Sequence, residues 1–169
     1  MPNSSARPTK FVADAMLGSL ARKTRALGFE TLYCANGDDK GLMRVAKSEG
    51  RIILTADKTL FGRASSGKVK VLLVSGRTDS RRLASILVAA KSSDISLIRG
   101  GPLCSLCGGG LVKMKRAEVA GRVPHLVESR HRLFLMCKAC GKYYWKGSHW
   151  KKLRWLERIL AEVPVATVS

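Results

Sequence analysis

Short apolar runs alternate with amphipathic stretches through the first hundred residues. Phe11-Val12-Ala13, Phe29–Cys34, Ile52-Ile53-Leu54 and Val69–Val74 are rich in β-branched and aromatic residues, which is the pattern of buried strands. Between them the period changes to that of helices. Leu17, Leu20, Ala21 and Leu27 form one stripe, with Arg22, Lys23 and Arg25 on another face; Leu42, Met43, Val45 and Ala46 form a second. Helices are therefore expected over 17–27, 38–49, about 57–64 and about 79–90, with Gly28 and Gly50 closing the first two. Strands alternating with helices imply a parallel sheet with right-handed crossovers, an α/β fold.

Gly100-Gly101-Pro102 breaks the pattern. Beyond it the chain carries cysteine pairs, an aromatic run Tyr143-Tyr144-Trp145, and a last amphipathic helix from about His149 to Ala161. Three segments are expected: a disordered basic lead-in (1–9), an α/β domain (10–99), and a small cysteine-rich unit ending in a helix (100–169).

Charge changes the picture most. The 31 basic and 12 acidic residues give +19, and both halves share it. A basic surface of that extent points to a polyanion, with nucleic acid first. No apolar run approaches a membrane span, and MPNSSARPTK lacks the apolar core of a secretory signal. An intracellular, cytoplasmic protein without a membrane partner is the expectation, its cysteines reduced.

Cys104-x-x-Cys107 and Cys137-x-x-Cys140 are two knuckles separated by 29 residues, with Gly108 and Gly141 directly after their second cysteines. Four soft thiolates suit a tetrahedral, structural Zn²⁺, and a unit with so few core residues would draw its stability from the metal. Cys34 stands apart at a strand end, as a small buried hydrophobe.

Carboxylates follow the first three strands: Asp14 after Ala13, Asp38-Asp39 after Cys34, and Asp57 after Thr55-Ala56. Each could simply cap the next helix. In a parallel sheet, however, the same ends of all strands share one edge, where open α/β sheets place their chemistry. Hard carboxylate oxygens there select Mg²⁺ or Mn²⁺, and in a protein that seeks polyanions this suggests metal-assisted phosphodiester hydrolysis. A Walker A loop, a GxGxxG turn and a GxSxG elbow are all missing.

FVADAMLGSLARKTRALGFETLY (11–33), Asp38-Asp39 with Gly41-Leu42, RIILTADKTL (51–60), the two knuckles, Arg122-Val123-Pro124 and YWKGSHW (144–150) together resemble the Mut-seven C-terminal RNase domain family. The resemblance implies a PIN-like parallel sheet flanked by helices, then a small zinc ribbon and a C-terminal helix. It implies RNA as substrate, with tRNA and rRNA among the candidates. It places Asp14 and Asp57 as metal ligands, Asp39 or Asp38 as the acid completing the shell, and Thr55 as the group that orients a carboxylate or water. Lys58 and Thr59 stand where related nucleases often carry another acid, and Asp79 is the candidate to replace it.

The expected function is a metal-dependent ribonuclease, cutting internally, with Zn²⁺ structural and Mg²⁺ or Mn²⁺ catalytic. Arg22 and Arg25 are candidates to hold flanking phosphates. Tyr144, Trp145 and Trp150, among Lys142, Lys146 and Lys151, could stack bases or could form the ribbon's own core. A non-catalytic RNA- or ribosome-binding protein is the rival, and DNA the other substrate.

Overall fold

The computed structural model describes residues 7–145 and 160–164. Four short strands form a parallel sheet: β1 (Lys10–Ala13), β2 (Glu30–Tyr33), β3 (Ile52–Thr55) and β4 (Val71–Leu73), in spatial order β2-β1-β3-β4. Their apolar triplets sit in direct register, with Val12 opposite Leu32 on one side and Ile53 on the other. The chain moves from β1 outward to β2, then returns across β1 to β3. The turning point of the topology therefore lies between β1 and β3, where ligands enter open α/β sheets.

Side chains of the strands alternate between two cores. Phe11, Ala13, Ile52, Leu54 and Leu72 pack with Leu17, Leu20, Leu83 and Ile86, under α1 (Gly18–Ala26) and α4 (Asp79–Ser92). Val12, Ile53 and Val71 face the other way, with Leu42, Ala46, Leu60 and Ala64 of α2 (Asp39–Glu49) and α3 (Lys58–Ser66). A fully buried Val, Leu or Phe contributes about 1.5–3 kcal/mol, so these two layers carry the domain. Arg51, at the start of β3, is only 8% exposed: it donates to the carbonyls of Phe11 and Glu30 and pairs with Glu30 and Glu49, each at 2.7 Å.

α1 and α4 are also joined by a polar contact. Asp79 accepts from Ser19 Oγ at 2.6 Å and from Lys23, with Arg82 close by. Burial pushes the Asp79 carboxyl up, but those hydrogen bonds and the Lys23 and Arg82 charges outweigh it and hold it below 3.8. The contact therefore stabilises the fold above the unfolded-state pKa and loses that effect as pH falls through the lower folded-state value. Lys23 is 36% exposed, so Asp79→Asn is expected to cost about 1–2 kcal/mol. The melting-temperature gap from wild type should persist from neutral pH to near 3.8 and close below it.

Residues 100–145 form a second, antiparallel sheet: β5 (Leu111–Met114), β6 (Phe134–Cys137) and β7 (Tyr143–Trp145). Two short helices, α5 (Arg116–Val119) and α6 (His125–Arg130), fill the long β5–β6 connection, which sequence periodicity does not reveal. Its buried core is small: Val119, Val123 and Phe134, with Tyr143 and Trp145 packed against them. Thr9, expected in a disordered lead-in, instead exchanges hydrogen bonds with Ile98 at 2.7 and 2.8 Å. The expected last helix from about His149 falls almost wholly outside the described residues, which resume with the 3-10 turn Leu160–Glu162.

Candidate functional site

Each strand-end carboxylate caps the helix that follows, as local chemistry demands. Asp14 accepts from Met16 N–H at 2.9 Å, Asp38 from Gly41 N–H at 2.8 Å, and Asp57 from Thr59 and Leu60 N–H at 2.6 and 3.3 Å. Capping leaves further lone pairs on every carboxylate.

Thr55 joins two of them. Its side chain is fully buried at the end of β3. The hydroxyl donates to Asp14 Oδ2 and accepts from the Asp57 N–H at 2.9 Å. One hydroxyl thus fixes the Asp14 carboxylate, itself only 8% exposed, at the end of the neighbouring strand, and the backbone of Asp57 just beyond its own. Both acids sit at the topological turning point. Asp39 lies on the β2 side and pairs with Arg63 of α3 at 2.8 Å. These groups are 37% and 63% exposed, so the pair is worth under about 1 kcal/mol and is easily exchanged.

The acids share an edge, not a tight cluster. Among the described residues, the four cysteines are the one set of three or more possible ligands whose donor atoms all lie within 4.8 Å of each other. Asp79 does not join the acids; it is engaged by Ser19 and Lys23.

Cys104, Cys107, Cys137 and Cys140 converge from the two knuckles. The Sγ atoms of Cys104 and Cys140 are 3.6 Å apart, those of Cys107 and Cys137 3.5 Å. Thiolates set tetrahedrally at a Zn–S length of about 2.3 Å stand about 3.8 Å apart, whereas a disulfide needs about 2.05 Å. The set could hold zinc with little adjustment. Gly109 is needed here, because a Cβ would come 2.8 Å from Ala139 Cβ and 3.0 Å from Cys137 Sγ. The N–H groups of Cys107 and Gly109 point at thiolate sulfurs. Burial opposes charge on Cys104, but the Cys107 N–H and the Tyr144 hydroxyl outweigh it and bring the thiol down to about 6. On Cys107 the Gly109 N–H favours the thiolate, yet Cys137, burial and the other thiols together push it up to about 12. A divalent cation at their centre removes that conflict.

Two residues expected at a nucleic-acid surface have other partners. Arg25 does not lie on an open basic face: it is 7% exposed. Its guanidinium donates to the carbonyls of Thr31 at 2.7 Å, Leu106 at 2.8 Å and Ser105 at 3.3 Å. Burial lowers its pKa, against the raising effect of Cys107 and Cys104. Arg25 therefore ties α1 to the first knuckle, and the open cation of that stretch is Arg22. Tyr144 directs its hydroxyl at Cys104 Sγ (2.9 Å) and Ser105 Oγ (3.3 Å), with Lys142 Nζ 6.0 Å over its ring. Trp145 and Tyr143 pack on the ribbon core, so the core role expected for some of these aromatics is met there. Lys146, Trp150 and Lys151 lie outside the described residues.

No described helix is long and apolar enough to cross a membrane. A family model described as the Mut7-C RNAse domain matches residues 9–156. The Homo sapiens protein named "Exonuclease mut-7 homolog" is 45% identical over 56 residues, which are 32% of this chain and 6% of that protein. No solved structure matches the chain.

Proposed function

The chain belongs to the Mut7-C RNAse domain family, and from that premise we propose that it is a metal-dependent ribonuclease cutting RNA phosphodiester bonds internally. The observation that carries this reading is the Thr55 hydroxyl, which ties the Asp14 carboxylate to the end of β3 and accepts from the backbone N–H of Asp57, at the turning point of the sheet. A capping role alone needs no such link between strands.

Hard carboxylate oxygens on adjacent strand ends fit Mg²⁺ or Mn²⁺. Asp14 and Asp57 would hold the cation, with Asp39, released from Arg63, or Asp38 completing the shell. When bound, the cation polarises the phosphodiester and favours hydroxide over water. Thr55 keeps the Asp14 oxygens fixed while substrate enters. Arg63, once exchanged from Asp39, is free to meet a phosphate. Arg22, on the exposed side of α1, and Lys142, on the ribbon, extend the basic path for the strand. A zinc-loaded ribbon places that path against the nuclease domain through Arg25.

The test is cleavage of end-labelled single-stranded and structured RNAs, and of DNA of the same sequence, by the zinc-loaded chain. Internal fragments in Mg²⁺ or Mn²⁺, none when neither is added to the zinc-loaded chain, and none from Asp57→Asn are expected. Products shortening one nucleotide at a time would replace internal cutting by exonuclease action, as named for the human relative. Salt-sensitive binding of all substrates without any cutting would leave a binding protein.

A further inference from the structure

The edge that carries the acids continues past β3 onto β4, and there its charge reverses. Val74 N–H donates to Thr55 O at 2.7 Å, so the chain leaves β4 level with the end of β3. Adjacent strands lie about 4.8 Å apart, which brings residues 75–78 up beside Ala56-Asp57. This loop holds no free acid. Asp79 is compensated by Ser19, Lys23 and Arg82. Arg77 and Arg81 are exposed, and neither has a carboxylate within ion-pair distance among the described residues.

The loop is braced. Ser75 N–H donates to Ser85 Oγ at 2.9 Å, and Arg82 Nε to Gly76 O at 3.1 Å. Gly76 has φ +118°, and a Cβ there would come 2.6 Å from Arg81 Cβ. The loop therefore rests directly on the first turn of α4, which puts the backbone next to Arg77 against Arg81. Fold stability does not ask for this. Cations in the first turn of a helix oppose its macrodipole, and only one acid, Asp79, stands among them. An anion seated between Arg77 and Arg81 would relieve that conflict.

We propose that Arg77 and Arg81 are substrate-positioning residues that bind a nucleic-acid phosphate flanking the bond presented to Asp14 and Asp57. The proposal rests on the nuclease reading, since it takes the acids as the point of cutting. It also gives the cleft a direction: carboxylates on the β2 side and centre, a phosphate clamp on the β4 side.

The experiment measures binding of a fluorescent single-stranded RNA to the full zinc-loaded chain with no Mg²⁺ or Mn²⁺ added, over a range of salt concentrations. Wild type is compared with Arg77→Gln/Arg81→Gln and with Lys68→Gln/Lys91→Gln, a charge-matched pair at the opposite ends of α3 and α4. Each phosphate neutralised on a single strand contributes about 0.7 to the log–log salt slope, so losing the one phosphate held by the arginine pair is expected to flatten it by about 0.7. Affinity at moderate salt should fall about tenfold, with KM raised and kcat unchanged in the cleavage assay. Equal slopes and affinities for the arginine and lysine pairs would overturn the proposal. Binding is read without turnover, so a wild type that binds and never cuts sinks the nuclease reading separately.

Discussion

Asp14→Asn is expected to abolish cleavage while the protein still folds, and Thr55→Val to reproduce much of that loss. Asparagine keeps an acceptor for the Met16 N–H, so the cap after β1 survives. What disappears is the charge that would hold the cation. Valine at 55 fits the same fully buried volume but removes the hydroxyl between Asp14 and Asp57. Groups that orient metal ligands typically matter about 10- to 100-fold in metal affinity or activity, and that is the drop expected for Thr55→Val. Part of it should return at high Mn²⁺, because the ligands remain and only their alignment is lost. The double variant should be no worse than Asp14→Asn alone, since both changes act on one unit. Steady-state kinetics on one RNA, with circular dichroism of each variant, decides the matter. A Thr55→Val enzyme of wild-type activity would show that the strand-to-strand hydroxyl link plays no part in catalysis.

The second large effect is expected from metal removal. Apart from two of its cysteines, the ribbon core among the described residues is Val119, Val123 and Phe134, too small to order residues 103–145 alone. Zinc bound to four thiolates supplies about 10–16 kcal/mol in comparable small sites, so a chelator should unfold β5–β7. The effect should not stop there. Two of the three carbonyls that satisfy Arg25 belong to Ser105 and Leu106, inside the first knuckle, and Leu103 N–H returns to Arg25 O at 3.0 Å. Losing the partners of a buried charge costs about 3–5 kcal/mol. Hydrogen exchange should therefore show faster exchange not only over 103–145 but also near the end of α1 and the start of β2. Cys137→Ser should do the same without a chelator. Exchange confined to the ribbon would mean that Arg25 finds water or other partners at no cost.

These contacts also show what a sequence can and cannot carry. The strands were legible because each is an apolar triplet bounded by breakers, and the parallel topology followed from the intervening helical periods. The acids at the strand ends were legible for the same reason, since a shared edge is a property of topology. How closely they approach is not, because it depends on loop geometry; among the described residues no three of the acids have donor atoms all within 4.8 Å of one another. Arg25 is the sharpest example. Helical period puts it beside Arg22 and Lys23, which reads as a solvated basic face. Two of its three acceptors lie 80 and 81 residues further on, in a segment whose register no local pattern reveals. Arg51 hid in the same way, at the head of a strand whose neighbours supply its partners.

The long reach of Arg25 has a consequence for synthesis. Chains emerge from the ribosome at about 5–20 residues per second. The residues of α1 are thus exposed for roughly 4–16 s before the carbonyls of Ser105 and Leu106, 80 and 81 positions later, are made. Through that interval the nascent sheet can assemble from β1 to β4, but its Arg25 corner stays wet and open. The nuclease half closes last at the point where the ribbon arrives, so a chain stalled or cut before residue 105 is left with a hydrated guanidinium where the finished protein has a seal.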